Sequence, residues 1–387
     1  MRRSDCFLAL GFGVRLTLRG LATQVDVMVM IGPAPQIESA DEWPPHELEV
    51  LGACPICGGS QRRVLFSGLR DLAFASAPGD WTMWRCACGA AYLDPRPTLV
   101  SIGAAYARYY THAPGHERGR VAGRNVLTRA IANIKNDYLN RTFGYRLPAV
   151  PLGAAVVRRT SSSRRALEHS IRHLPAPSSK AMRLLDAGCG SGEFLETASG
   201  LGFTSVGLDP DPKAAEAGKR AGLDIRPGIL PGSGLERGSF EHVTLKDVLE
   251  HLHDPVEALR EVWSLLKPSG RVWISQPNLG AVGLAEFGPY WRGLEPPRHL
   301  SLTDVDGMRA LLQRCGFVNV QILPPQPSAA FYFKQSLYQR HGLDPYGEEP
   351  LHEWNHAWEQ RSRKADADAA RNYRIGESLT VVAYRPA

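Results

Sequence analysis

From residue 181 onward the chain alternates between two hydrophobic periods. The stretches MRLLDAG (182–188), TSVGLDP (204–210), DIRPGIL (224–230), EHVTLKD (241–247), RVWISQPN (271–278) and VNVQILP (318–324) are short apolar-rich runs that predict strands. Between them GEFLETASGLG (192–202), PKAAEAGKRAG (212–222), DPVEALREVWSLLKPSG (254–270) and TDVDGMRALLQRCGF (303–317) repeat apolar residues every three or four positions, which predicts helices. The third helix is the best punctuated, with Asp254 as N-cap, Pro255 in the first turn, Val256, Leu259, Val262 and Leu266 on one face, and a Pro-Ser-Gly stop. SLTVVAYRP (378–386) closes the chain as a further strand, and residues 324–376, too long for a hairpin loop, are expected to be a helical insertion. Such an alternation implies a mostly parallel sheet with helices on both faces.

Before residue 181 the pattern is less regular. Residues 46–98 form an expected compact unit around two cysteine pairs, closed by YLDPRP (92–97), and residues 99–147 carry helical spacing through Tyr106, Tyr109, Tyr110, Val126, Leu127, Ile131, Ile134 and Tyr138. Pro, Ser and Arg crowd residues 148–180, which reads as loop or linker. The basic, then apolar, residues 1–45 lack a convincing cleavage pattern and are expected to be a disordered tail.

Charge sharpens this division. Residues 101–180 hold 14 Lys plus Arg against 3 Asp plus Glu, or +11, while the 387-residue chain carries only +6. The basicity therefore belongs to the helical and linker region, where it opens the possibility of contact with RNA phosphates. No apolar run approaches the roughly 18 residues that would span a bilayer. Seven cysteines are too few and too clustered for a disulfide scaffold. Cys54 and Cys57, with Cys86 and Cys88 after 28 intervening residues, instead predict a structural four-thiolate zinc site, and with it a reducing, cytoplasmic setting. Cys6, Cys189 and Cys315 are expected to be unpaired.

LLDAGCGSGEFL (184–195) reads as strand, glycine turn and helix start, with Gly188, Gly190 and Gly192 letting a ligand approach the backbone and the free amides of the helix. Glu193 stands where a dinucleotide-binding turn would have its third glycine. Asp209, 19 residues after Gly190, ends the next strand and can accept hydrogen bonds from two ribose hydroxyls. With DAGCGSG, GLDPD, VLEHLHDP, LLKPSGRVWISQPN and PPRHLSLT in this order, residues 181–323 and the last strand resemble the class I S-adenosylmethionine-dependent methyltransferase family, in particular its bacterial small-molecule branch that includes the ubiquinone-pathway enzymes. CPICGG and CACGAAYLDPRP resemble the zinc-knuckle extension of such proteins, some of which methylate sugars and other natural-product or cell-surface precursors. The resemblance implies a Rossmann-like seven-stranded α/β sheet with one antiparallel strand, a small zinc-binding domain before it, and S-adenosylmethionine held by Asp186, Gly188, Gly190, Gly192, Asp209 and Glu250. The acidic residue that usually reads adenine after the third strand is missing, since Glu236 is out of register, so backbone groups of residues 232–235 are the expected substitute. Glu241 stands where the fourth strand usually opens with Asp.

Methylating a hydroxyl requires alignment of donor and acceptor and removal of a proton. His251, just after the fourth strand, and His299, in the Tyr-, Trp-, Arg- and Pro-rich segment 286–302, are the candidate bases. Glu250 can also orient a neighbour, His253 and Asp254 are expected to lead into the next helix, and Arg292 and Arg298 are candidates to hold an anionic group on the acceptor. Two other functions fit the same blocks: a zinc-containing RNA methyltransferase, and a scaffold that keeps the fold without activity.

Overall fold

The computed structural model describes residues 42–108 and 126–387. Cys6, Tyr109, Tyr110 and residues 1–41 of the expected tail lie outside the described residues. The elements are β1 (Leu48–Glu49), β2 (Arg62–Leu69), β3 (Trp81–Cys86), β4 (Ala91–Leu93), β5 (Arg96–Pro97), α1 (Val126–Phe143), α2 (Gly153–Arg159), α3 (Ser161–Ser170), β6 (Arg183–Ala187), α4 (Glu193–Gly200), β7 (Thr204–Asp209), α5 (Pro212–Ala221), β8 (Asp224–Pro227), β9 (Phe240–Lys246), α6 (Pro255–Leu265), β10 (Leu266–Pro277), α7 (Val282–Phe287), β11 (Ser301–Leu302), α8 (Val305–Arg314), β12 (Val318–Leu323), α9 (Ala329–Arg340), α10 (His356–Ala369) and β13 (Ser378–Tyr384).

Seven strands form one sheet in the order β12-β13-β10-β9-β6-β7-β8. β6 to β10 pair in parallel, and β13 runs antiparallel to both β10 and β12. The central strands are buried on both faces, as their continuous Leu and Val runs require. α6 shows how the helices cover them: Asp254 Oδ1 accepts the Glu257 amide at 2.9 Å, and Ala258, Leu259, Val262 and Leu265 turn inward. Each such Leu or Val contributes roughly 1.5–3 kcal/mol through burial.

Three sequence expectations change. The Pro-Ser-Gly stop of α6 already belongs to β10, which starts at Leu266 and shifts register before Arg271. Residues 148–180 contain two helices where loop was expected, because Arg165, Leu167, His169 and Ile171 bury against the rest of the protein and that packing overrides the Ser- and Arg-rich composition. The cysteine unit is not self-contained either. Its sheet runs β11-β4-β3-β2, so residues 301–302 of the later chain complete it, and Trp43, expected to lie in the tail, is buried edge-on against Trp81 at 5.6 Å between ring centroids. The expected insertion after β12 is α9 and α10.

Candidate functional site

Strand β6 ends at Ala187 and the chain turns through Gly188, Gly190 and Gly192, with φ of 70°, 52° and 89°. These are left-handed conformations in which glycine is favoured. A Cβ at Gly188 would also run into Val248 Cγ2, so the glycine turn and the segment that carries Glu250 and His251 touch directly. Asp209 at the end of β7 ties the turn down: Oδ2 accepts the Gly190 amide at 2.8 Å and Oδ1 the Asp211 amide at 3.0 Å. The loop is thus fixed before any ligand arrives. Asp186, completely buried, pairs with Arg172 and accepts from Thr244 Oγ1 at 2.9 Å through Oδ1. Arg172 lies over the ring of Phe194 at 3.6 Å from the centroid, so it joins β6 to α4 below the turn.

Beyond the end of β9, Leu249–His251 form a 3-10 turn in which Glu250 and His251 are buried. His299 arrives from the segment before β11, and the ligand atoms of Glu250, His251 and His299 lie within 4.8 Å of one another. The sequence offered these three as separate candidates; the fold makes them one cluster. His251 Nδ1 lies 3.0 Å from the Arg298 carbonyl and 3.0 Å from the Tyr106 hydroxyl, and His299 Nδ1 is 2.8 Å from the Gly293 carbonyl. Since a carbonyl only accepts, both rings carry their proton on Nδ1 and present an Nε2 lone pair. Burial holds both imidazoles neutral, His251 well below its ordinary range and His299 at about 4. Burial and the neighbouring Asp247 push Glu250 in the opposite direction, well above the usual carboxylate range.

The cluster opens on a pocket lined by Asp247, Glu250, Pro277, Arg292, Glu295, His299, Phe331 and Tyr332. Tyr332 and Phe331 come from α9, so the insertion roofs the pocket. Of the two candidate anion-binding arginines, Arg298 is committed elsewhere. Completely buried, it donates to Asp71 through both terminal nitrogens, to Glu295 Oε1 at 2.9 Å and to the Ala105 carbonyl at 2.9 Å. Arg292 pairs with Glu295 and lines the pocket. Burial alone would raise the carboxyl of Glu295, but the Arg292 and Arg298 guanidinium groups outweigh that and pull it far below its usual range.

Other candidates take structural places. His253 does not cap α6; its Nε2 meets the Pro97 carbonyl at 3.0 Å in the cysteine unit. Asp304 caps α8, accepting the Gly307 amide at 2.9 Å. Glu241 accepts the Arg183 amide at 2.7 Å and Lys267 Nζ at 2.5 Å, which fastens the starts of the central strands β6, β9 and β10 to one another. The amides of Gly232 and Ser233 are taken by the Glu261 carboxylate at 2.5 and 3.0 Å, and that of Leu235 by Ser233 Oγ at 3.2 Å, so they are not free to read an adenine as expected. Sequence reasoning missed Arg172, Asp71, Tyr106, Glu295 and Tyr332. Of these only Glu295, in EPPRH, lay inside a segment already singled out.

Cys54 and Cys88 Sγ are 3.8 Å apart, and Cys57 and Cys86 Sγ 3.5 Å apart. A tetrahedral site with metal–sulfur bonds of about 2.3 Å has sulfur–sulfur edges of about 3.8 Å, so the four thiols fit a zinc ion. The Gly59 amide points at Cys57 Sγ at 3.3 Å and the Cys88 amide at Cys86 Sγ at 3.5 Å, as the turns after each pair require. Desolvation by burial raises the Cys54 thiol and brings Cys88 to about 11.

Residues 159–322 match the family model of a methyltransferase domain. The ubiquinone biosynthesis O-methyltransferase of Caulobacter vibrioides is 35% identical over 133 residues, 31% of this chain and 52% of that protein. The enzyme of the same name from Methylocella silvestris is 29% identical over 150 residues, 34% of this chain and 58% of that protein. The chain thus spans about half the length of the curated relatives it matches. Phosphoethanolamine N-methyltransferase 2 of Haemonchus contortus, solved with S-adenosyl-L-methionine, aligns over 66% of this chain and 56% of its own with 17% identity and a TM-score of 0.37. With the glycine turn after β6, Asp209 after β7 and the reversed β13, residues 159–322 form a methyltransferase domain.

Proposed function

We propose that this protein transfers a methyl group from S-adenosylmethionine to an oxygen of a small molecule, or of a sugar, natural-product or cell-surface precursor, bound in the pocket under α9. The observation that carries this reading is the contact between the two halves of the site. Gly188 of the cofactor turn abuts Val248, two residues before Glu250 and three before His251, so the cluster borders the place where a donor methyl would lie. Gly188, Gly190 and Gly192 leave room for the cofactor against the start of α4, and Asp209 at the end of β7 takes the ribose. Asp186 acts from behind, by fixing Arg172 and β6, and Glu250 lines the pocket itself. The cofactor supplies an already activated methyl on a sulfonium.

The chain's own residues do the rest. The pocket holds the acceptor oxygen in line, and Phe331 and Tyr332 exclude water from it. As the oxygen–carbon bond forms, the carbon–sulfur pair stays on sulfur, and the hydroxyl proton leaves to the Glu250–His251–His299 cluster. The four cysteines hold a structural zinc with no open position, and so shape the cysteine unit that abuts the pocket through Asp71 and Tyr106.

A small acceptor suits a pocket walled by Phe331 and Tyr332 better than RNA does. Part of the basic segment is also spent internally, since Arg165 and Arg172 are buried. Calorimetry with S-adenosylmethionine on the full chain and on Asp209→Asn tests the cofactor half. Saturable binding of one molecule per chain, weakened in the variant, is expected; no heat in either protein removes the proposal. Label from the donor appearing in an RNA fraction would replace the small acceptor with RNA.

A further inference from the structure

We infer that Arg271, His242 and His173 form a binding site for a small anion of the chloride type, on the face of the large sheet that α1 and the segment after α3 cover. The site stands apart from the pocket under α9, and it does not rest on the methyltransferase reading above.

Strand register brings the three residues together. Arg271 on β10 pairs with His242 on β9 and with Tyr384 on β13, so these side chains share one face of the sheet. His242 in turn pairs with Leu184 of β6, which packs with Tyr145, Leu174 and Phe203 in one apolar cluster. The chain after α3 closes over Arg271, whose Nη1 donates to the His173 carbonyl at 2.7 Å. Phe203 closes over His242, edge to face with ring centroids 5.6 Å apart.

The first sign of an anion is a charge without a counter-charge. Arg271 is only 7% exposed, yet no carboxylate among the described residues acts on it. Burial draws it down to about 10, and only the phenols of Tyr384 and Tyr145 oppose that. The other buried arginines of this kind, Arg172 and Arg298, each have a carboxylate against them. A buried guanidinium is stable only when something compensates its charge.

The second sign is a set of donors that find no acceptor. Among the described residues Arg271 Nε, His173 Nε2 and both ring nitrogens of His242 lack a hydrogen-bond partner. Since His173 Nδ1 accepts from Trp273 Nε1 at 3.3 Å, its ring proton is on Nε2. Burial, and then Arg271, keep both imidazoles neutral, His173 at about 3 and His242 at about 4, so His242 carries one N–H. Three N–H donors and a fixed positive charge thus stand against one ring nitrogen that can accept. A water molecule brings as many donors as acceptors and no charge, whereas an anion accepts only and balances the guanidinium. With Arg271 and His242 each 7% exposed, an ion the size of chloride fits and a phosphorylated metabolite does not. Bound there, it ties His173 to the sheet directly after Arg172, the partner of Asp186 beneath the glycine turn.

Thermal unfolding of the full-length protein tests the site, at constant ionic strength with chloride exchanged stepwise for gluconate, an anion too large to enter. The wild type should melt at least about 2 °C higher in chloride, with a rise that saturates, and Arg271→Gln should show no such rise. A wild type that melts alike in both salts overturns the proposal and leaves water as the partner of these groups. An equal chloride response in Arg271→Gln overturns it as well. Bromide-soaked crystals of the wild type give the answer even where Arg271→Gln fails to fold. An anomalous peak in hydrogen-bond contact with Arg271 Nε is expected, and its absence there overturns the assignment.

Discussion

Replacing Arg298 with Met should destabilise the protein more than any surface change could, and the amount can be worked out from its surroundings. The guanidinium is completely buried and is the counter-charge for Asp71, whose side chain is 1% exposed, while Glu295, equally buried, keeps Arg292 as a second partner. The substitution preserves much of the volume but leaves Asp71 without its ion pair. Stranding one partner of a buried pair costs about 3–5 kcal/mol, against a total stability of roughly 5–15 kcal/mol for a folded domain. Against the desolvation that burial imposes, this arginine holds the Asp71 carboxyl below its usual range, which places the loss at the electrostatic contact and not in packing. Urea unfolding followed by tryptophan fluorescence measures it. Arg298→Met should lower the unfolding free energy by about 3–5 kcal/mol, and Arg298→Met combined with Asp71→Asn should cost clearly less than the two single changes added together. A loss below about 1 kcal/mol, or strict additivity, would refute the claim that this pair couples the cysteine unit to the pocket.

Gly188→Ala should weaken S-adenosylmethionine binding about 5- to 30-fold, the equivalent of roughly 1–2 kcal/mol for a non-glycine residue in a left-handed turn; unchanged affinity in calorimetry would show that the turn does not bind the cofactor. Cys54→Ser should abolish the thiolate-bound zinc and expose the cysteine unit to protease, whereas retention of full zinc and full resistance would contradict a structural site. Glu377, which accepts the Trp291 ring N–H at 2.7 Å and the Gly283 amide at 2.8 Å, is raised by burial to about 7. Its folded state holds the proton more tightly than the unfolded chain does, so its contribution to stability is complete below about pH 4.5 and is lost as pH rises through 7. Relative to Glu377→Gln, the wild type should therefore lose up to about 3 kcal/mol between pH 4.5 and 7; a difference independent of pH, measured by urea unfolding, would negate the assignment.

The sheet and the cofactor turn were legible because local rules govern them. Leu184 and Leu185 before a glycine turn, Asp254 before Pro255, and alternation through Thr380, Val381 and Val382 each specify an element from neighbours in sequence. The cluster was half legible: Glu250, His251 and His299 stood out as titratable groups near strand ends, but their meeting depends on a backbone bond from the Leu300 amide to the Glu250 carbonyl at 2.7 Å, which no local pattern announces. Arg298 and Asp71 are separated by 227 positions, and Asp71 sits in an unremarked loop. Residues 148–180 were misread for the same reason. Their helices are held by distant contacts, such as Arg165 donating to the Pro325 carbonyl at 2.8 Å, and composition alone pointed to loop.

The central claim is that a methyl group passes from a cofactor on the glycine turn to an oxygen beside Glu250, His251 and His299. Transfer of label from methyl-labelled S-adenosylmethionine into the small-molecule fraction of a cell extract, compared between wild type and His299→Ala, tests it most directly. The expected result is an oxygen-linked labelled product whose formation falls at least about 100-fold in the variant, the low end of what a group acting on the transferred proton contributes. Equal incorporation by both proteins, or none by the wild type despite bound cofactor, would contradict it.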